Sequence, residues 1–141
     1  MARALLATAL VGAVGLVGLA GACGPDVNDA AYVIAVDAQG KPLDKFQVPT
    51  SPIGQIRELQ IILKNDSDLQ ASPLRLSVSG EAAAYFTIVS CQGTALSPHE
   101  ACTADLTFQS NTEGKRTAQL DIMADGVAVL PLFTDVFKPA N

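Results

Sequence analysis

The sequence contains few of the residues on which catalytic and nucleic-acid sites depend. It has no tryptophan, one histidine and three cysteines, and its formal net charge is −5. Its nine lysines and arginines are scattered, and only Lys115 and Arg116 are adjacent. Because a nucleic-acid surface needs clustered cations that release counterions from phosphates, the composition argues against a nucleic-acid partner. The acidity instead predicts a soluble, self-repelling surface.

The motifs of common enzymes and metal sites are missing as well. The chain has no G-x-S-x-G elbow and no glycine-rich phosphate loop. A zinc site needs more ligands than two cysteines and His99 supply, and the acidic turn at 65–68 lacks the glycine and distant glutamate of a calcium loop. We therefore predict no catalytic residue, no metal and no cofactor, and we interpret His99 as an exposed loop residue. An enzyme would need a pocket with clustered titratable groups.

Hydrophobic residues are concentrated at the N-terminus. Arg3 is the only charge among the first 23 residues, and an uncharged run of Leu, Val, Ala and Gly follows it. The chain then narrows to small residues at 20–22, directly before Cys23. A positive start, an apolar run and a small-residue exit are typical of a secretory signal peptide, which we predict for residues 1–22.

The end of this leader resembles the lipobox of bacterial lipoproteins, since residues 19–23 read Leu-Ala-Gly-Ala-Cys. In that family the Cys thiol receives a diacylglycerol, the chain is cut just before it, and the new amine is acylated, commonly with palmitate. Ala20 stands where the family prefers a branched apolar residue. The resemblance implies lipidation of Cys23 and attachment to a membrane through N-terminal acyl chains, which hold firmly when there are two or three. Residues 23–30 are then the acylated cysteine and a short tether.

Two alternatives remain open for the leader. The protein is secreted if the leader is removed without acylation, and it is membrane-anchored if the leader stays, because residues 4–22 carry no charge and are about as long as a membrane span. Gly24 follows the cysteine in place of the Asp that retains enterobacterial lipoproteins at the inner membrane. We therefore expect a bacterial cell envelope, with the outer membrane favoured over the inner one and the mature domain in the periplasm or on the surface.

Beyond the tether, apolar and polar residues alternate with the period of β-strands, and no long helical period appears. Asp125 and Gly126 form a strong hairpin signal. For residues 31–138 the pattern predicts an all-β fold, an antiparallel two-sheet β-sandwich of about seven strands. A further short edge strand at 46–48 is expected to end at Pro49 and Pro52. The main strands are predicted at 32–36, 56–64, 74–78, 85–90, 102–108, 118–122 and 127–136.

Cys91 and Cys102 remain after Cys23 is assigned to the lipid. An exported protein meets an oxidising compartment, so we predict a structural disulfide between them. Redox catalysis would favour a close C-x-x-C pair instead. Closing a loop of this size stabilises a domain by roughly 2–3 kcal/mol in chain-entropy estimates.

The second half of the domain resembles the ASPM/SPD-2/Hydin type of immunoglobulin-like domain, which occurs in bacterial surface proteins of the choice-of-anchor kind. The shared features are two cysteines around a Leu and a small-residue turn, a strand that ends near a Phe, a Gly turn and an alternating strand. They lie at 86–91, 96–98, 101–108, 113–114 and 117–122. The resemblance implies an immunoglobulin-like sandwich that serves as a spacer or interaction module, without catalytic residues.

These observations lead to a non-catalytic, lipid-anchored envelope protein that displays an immunoglobulin-like module to an envelope protein or surface polymer. We expect contact surfaces at the loop 94–100 and on the final strand, because sandwiches bind through loops and strand edges. The alternative is a periplasmic chaperone or assembly factor that binds partner strands at a sheet edge.

Overall fold

The computed structural model describes residues 30–140, so the predicted leader and Cys23 lie outside the described residues. Within 30–140 the chain forms nine strands and a 3-10 turn at Ala83–Tyr85. The strands are β1 (Val33–Val36), β2 (Phe46–Gln47), β3 (Ser51–Pro52), β4 (Arg57–Asn65), β5 (Arg75–Ser79), β6 (Phe86–Ile88), β7 (Ala101–Phe108), β8 (Gly114–Met123) and β9 (Val127–Phe137).

The strands form two sheets. The first has the order β1-β4-β7-β6 and is antiparallel throughout. The second has the order β2-β9-β8-β5, with β3 also paired to β9. The pairs of β9 with β2 and β3 are parallel, and the others are antiparallel. The predicted all-β, two-sheet sandwich is confirmed, with two of its nine strands only two residues long.

The core lies between the sheets and follows the predicted alternation. Leu59, Ile61 and Leu63 of β4 are all buried, while the residues between them are half-buried or exposed. β8 repeats the pattern at its inward positions. Thr134 is a polar residue on the buried inner face of β9. Its hydroxyl is satisfied there, because it donates to the Arg116 carbonyl at 3.2 Å. Period-two burial on both sheets therefore places one apolar layer between them.

Two local expectations were wrong. Pro52 was expected to end a strand, but it lies in β3 at the outer edge of the second sheet. Its missing amide costs no ladder bond there, because the next residue, Ile53, donates to the Phe137 carbonyl at 3.0 Å. Tyr85 was expected to begin a strand, but it ends the 3-10 turn and the strand starts one residue later.

A glycine is needed at position 80, directly after β5, because the backbone there lies close to the backbone of β8. Its φ is +97°, and a Cβ built there would lie 3.2 Å from the Ala118 Cα in β8. Gly40 also has a positive φ, +79°, but a Cβ at that position would meet nothing within 4 Å. A side chain at Gly40 would therefore introduce backbone strain alone, whereas a side chain at Gly80 would introduce both backbone strain and steric overlap.

We predict that Gly40→Ala costs about 1 kcal/mol of unfolding free energy, because of its left-handed backbone alone. Gly80→Ala should cost at least about 1 kcal/mol more, because β8 has to move to admit the methyl group. Urea unfolding of both variants measures the difference. Equal losses would show that the close approach of Gly80 to β8 is not a constraint.

Candidate interaction surface

Cys91 and Cys102 form a disulfide, which joins the segment after β6 to β7. Their Cα atoms are 6.1 Å apart, within the usual range for such a bond. Cys91 has a φ of 70°, in the left-handed region that few side-chain-bearing residues adopt. The sequence prediction for this pair agrees with the structure, and the bond fixes both ends of the loop 92–101.

Asn65, at the end of β4, has a buried side chain that joins the loop 66–69 to the loop 92–101. Its Nδ2 donates to the carbonyl oxygens of Leu69 at 2.6 Å, Leu96 at 3.1 Å and Ser97 at 3.2 Å. Its Oδ1 accepts from the Ser67 amide at 3.2 Å and the Ser67 hydroxyl at 2.7 Å. The amide is therefore fully hydrogen-bonded, which is the condition for burying it without a large penalty.

The loop 94–100, which we expected to be a contact surface, has both structural and exposed parts. Leu96 packs in the core, and the Ser97 amide donates to the Glu100 carboxylate at 2.7 Å. His99 is exposed, as expected, and its Nε2 lies 2.8 Å from Oδ1 of Asp68. This contact also bridges the two loops that Asn65 joins, but a polar contact between exposed side chains contributes little stability.

Residues 30–140 contain few clusters of side chains that could bind a metal or take part in catalysis. No three His, Cys, Asp or Glu side chains in this range come close enough to hold a metal ion. No helix in the same range is long and apolar enough to cross a membrane. A groove of about 680 Å³ lies on the outer face of the first sheet between β4 and β7, where the Gln60 amide and the Ser90 hydroxyl donate to Asp105. Asp105 is thus already hydrogen-bonded by its neighbours.

Asp125 joins the hairpin between β8 and β9 to the segment that precedes β5. Its carboxylate accepts from the Ser72 hydroxyl and from the Ser72 amide at 3.1 Å. Hydrogen bonds from Ser72 lower the pKa of Asp125 below its ordinary value of 3.8. The first residues of the domain lie at the same end of the sandwich, because the Tyr32 carbonyl accepts from the Asp66 amide at 2.8 Å and Tyr32 lines a groove together with Val127.

The final strand presents an apolar stripe to solvent. Val127, Val129, Phe133 and Phe137 all point away from the core, and they are 66%, 49%, 37% and 45% exposed. Half of the large exposed hydrophobic side chains of the described residues thus lie on this one strand. Such a concentration is the mark of an interaction surface rather than of random exposure.

Only the second half of β9 is covered at its outer edge. The Phe133 carbonyl accepts from the Val48 amide, and the Phe137 carbonyl accepts from Ile53. Because strand backbones alternate sides with a period of two, the amides and carbonyls of Val127 and Val129 face the same edge. No strand among residues 30–140 pairs with them there. We expected a contact surface on the final strand. The unpaired backbone edge of that strand lies at residues 127–129.

A groove of about 340 Å³ runs beside this open edge, between the two sheets. Tyr32, Ile34 and Ala35 form its wall on the first sheet, and residues 127–130 form the opposite wall. The turn at 42–44 closes one end. Tyr32 is 52% exposed at its rim. We call this side of the sandwich, formed by residues 32–35, 42–44 and 127–130, the groove edge.

No family model matches the chain, and no curated protein sequence matches it. The fold is nevertheless similar to solved structures. The PapD-like domain 7 of human CEP192, an ASH domain, matches with a TM-score of 0.58 at 14% identity, over 98% of this chain and 100% of that one. The CupB2 chaperone of Pseudomonas aeruginosa matches with a TM-score of 0.53 at 12% identity, over 73% of this chain and 55% of that one.

The secreted serine protease VesC of Vibrio cholerae also matches, with a TM-score of 0.51 at 14% identity, over 79% of this chain and 24% of that one. The chain thus spans about a quarter of the protease and about half of the chaperone. At these identities the likeness shows the fold alone. The chain is an immunoglobulin-like β-sandwich, as the sequence pattern and the resemblance predicted, and its fold is similar to that of a PapD-like domain.

Sequence reasoning missed the groove edge, although part of its signal is visible. Val127 and Val129 are apolar residues at positions that alternate with the inward Leu130 and Leu132, so the strand is apolar on both faces. The pattern shows this excess of apolar residues. It does not show which half of the strand is left unpaired, since that depends on where β2 and β3 bind.

We predict that Asn65→Asp destabilises the domain by about 3 kcal/mol or more, because a buried carboxylate cannot donate to the three carbonyls that the amide now serves. Asn111→Asp, at an exposed position between β7 and β8, is the matched control and should change stability by less than about 0.5 kcal/mol. Urea unfolding measures both. Similar losses at the two positions would contradict the role of Asn65.

We predict that Asp125 makes stability pH-dependent. Because the folded state lowers the pKa of this carboxyl, its contribution is present above the ordinary value of 3.8 and is lost as the pH falls through the folded pKa. Asp125→Asn should therefore be less stable than the parent near neutral pH, and the difference should shrink in acid. Unfolding free energies measured at several pH values test this, with the exposed Asp44→Asn as control. A difference that stays constant with pH would contradict it.

Proposed function

We propose that the chain is a lipid-anchored protein of a bacterial cell envelope that displays one non-catalytic immunoglobulin-like domain of the ASPM/SPD-2/Hydin, choice-of-anchor kind. Cys23 is the acylated residue, and residues 24–29 tether the domain. The membrane is one partner, through the acyl chains, and an envelope protein or surface polymer is the other. The outer membrane is the expected location.

The pairing of the cysteines carries this proposal. Since Cys91 and Cys102 bond to each other, Cys23 has no cysteine partner within the chain. A free thiol in an oxidising compartment is open to oxidation and to pairing with other chains, and acylation removes it.

A non-catalytic role is supported by what surrounds the titratable groups. The pKa of the Asp125 carboxyl is lowered, and the cause is a structural contact with Ser72. The exposed apolar stripe of β9 supplies a surface for contact with a partner instead. Display of this surface at a membrane is the mechanism that we propose.

Intact-mass measurement of the membrane-extracted protein tests the proposal. We predict a chain that begins at Cys23, carries the added mass of its acyl groups and lacks the two thiol hydrogens of Cys91 and Cys102. Cys23→Ser should abolish acylation and release from the leader, whereas the double variant Cys91→Ala/Cys102→Ala should remain acylated. A product that retains residues 1–22, or that begins at Cys23 without added mass, would refute lipid anchoring.

A second role, as a periplasmic chaperone or assembly factor, is favoured by the open strand edge at Val127 and Val129. The similarity of the fold to the CupB2 chaperone points in the same direction, although the chain spans about half of that protein. A partner strand added at this edge would slow hydrogen exchange of both backbone amides. Exchange measured with and without envelope subunits distinguishes the two roles, since a display module needs no such protection.

A further inference from the structure

We propose that the groove edge rests on the interfacial layer of the bilayer to which the chain is anchored. The inference rests on the proposed function, because acyl chains at Cys23 bring the bilayer within reach. It goes beyond anchoring, since it assigns the sandwich a fixed orientation and a second, non-covalent lipid contact. The contact surface consists of Tyr32, Val127 and Val129, with the turn 42–44 beside them.

The tether is short compared with the domain. From Cys23 to Ala30 the chain spans at most about 25 Å when fully extended. Tyr32, two residues later, already lies on the rim of the groove, with Val127 on the opposite rim. The groove edge is therefore the apolar surface that follows most directly from the anchor along the chain.

The exposed side chains have the composition that suits a membrane interface. Tyr32 has an apolar ring with a polar hydroxyl and is 52% exposed. Tyrosine is enriched where a membrane meets water, because both of its ends are accommodated there. Val127 and Val129, which are 66% and 49% exposed, place aliphatic groups on the opposite rim of the groove. Shallow burial of these groups removes apolar area from water.

The open backbone limits how deep the domain can sit. The amides and carbonyls of Val127 and Val129 are not paired by any strand of residues 30–140. Unpaired backbone groups are excluded from the hydrocarbon core, where no water can satisfy them. In the headgroup layer, water binds both the amides and the carbonyls, and phosphate oxygens accept hydrogen bonds from the amides. The proposed contact is therefore interfacial and does not cross the bilayer.

Charge distinguishes the groove edge from the neighbouring end of the sandwich. That end carries Asp66, Asp68, Glu100 and Asp125 against two cations, Lys64 and Arg75. Anionic headgroups repel such a surface.

The turn beside the groove is neutral by comparison. Its exposed Lys41 and Lys45 offset Asp37 and Asp44. The two lysines are placed to reach lipid phosphates while the apolar rim enters the interface. The balance of charge therefore favours an edge-on orientation over one that stands on the acidic loops.

The test uses the mature chain, residues 23–141, with its disulfide formed. Cys23 is then the single free thiol and can be coupled to a maleimide lipid in vesicles of phosphatidylcholine and phosphatidylethanolamine. Because the sequence has no tryptophan, Tyr32→Trp introduces a unique fluorophore at the groove edge. Brominated lipids quench tryptophan at the interface. We expect Tyr32→Trp to be quenched about threefold more strongly than a tryptophan held in water.

Val89→Trp is the matched control. Val89 is 64% exposed and follows β6, which is the opposite edge of the first sheet from β1. It should show little quenching. In the Tyr32→Trp chain, Val129→Glu should lower the quenching about twofold, because it places a charge on the contacting rim. Val89→Glu should leave the quenching unchanged.

Chemical coupling separates this inference from the proposed function. Loss of acylation in the intact-mass measurement would remove the natural anchor and refute the proposed function, whatever the quenching shows. Equal, weak quenching at positions 32 and 89 in the coupled chain would overturn the lipid contact even where acylation is confirmed. That result would leave an added partner strand as the occupant of the open edge.

Discussion

The apolar contact between the two sheets is the constraint on which the rest of the structure depends. β4 and β7 contribute one layer and β8 and β9 the other, so neither sheet can bury its inner face alone. The first strands divide between them: β1 pairs with β4, and β2 and β3 pair with β9. Because the chain crosses from one sheet to the other at residues 37–45, the first half of β9 is left uncovered. The groove edge is thus a direct consequence of this crossing.

One end of the sandwich is held by side-chain chemistry as well as by the core. Asn65 and the disulfide of Cys91 with Cys102 both act on the loop 92–101, one through its carbonyls and one through its ends. Asp125 ties the hairpin to Ser72 at the same end. Among residues 30–140, no disulfide and no buried side-chain amide acts on the side that contains the groove. An acidic end next to an open, apolar edge gives the domain two unlike surfaces.

The fold could be predicted from the sequence, and the surface could not. Alternation of Leu59, Ile61 and Leu63 with polar residues reports burial directly, because one face of a strand meets the core. The assignment of Cys23 to the lipid and the expectation of export were sufficient to predict the bond between Cys91 and Cys102. In contrast, the open edge at 127–129 depends on where β2 and β3 bind, which is a long-range pairing that local pattern does not encode. The expectation for Pro52 failed for the same reason, whereas Tyr85 belongs to a 3-10 turn in which its amide donates to the Ala82 carbonyl.

The central claim is that both sheets form one cooperative unit, held by their shared core without a ligand. Native-state hydrogen exchange of the oxidised domain tests it most directly. The account predicts that the slowest amides of β4 and β7 exchange with the same opening free energy as those of β8 and β9, equal to the free energy of global unfolding. Amides of one sheet that open several kcal/mol more easily than those of the other would contradict it.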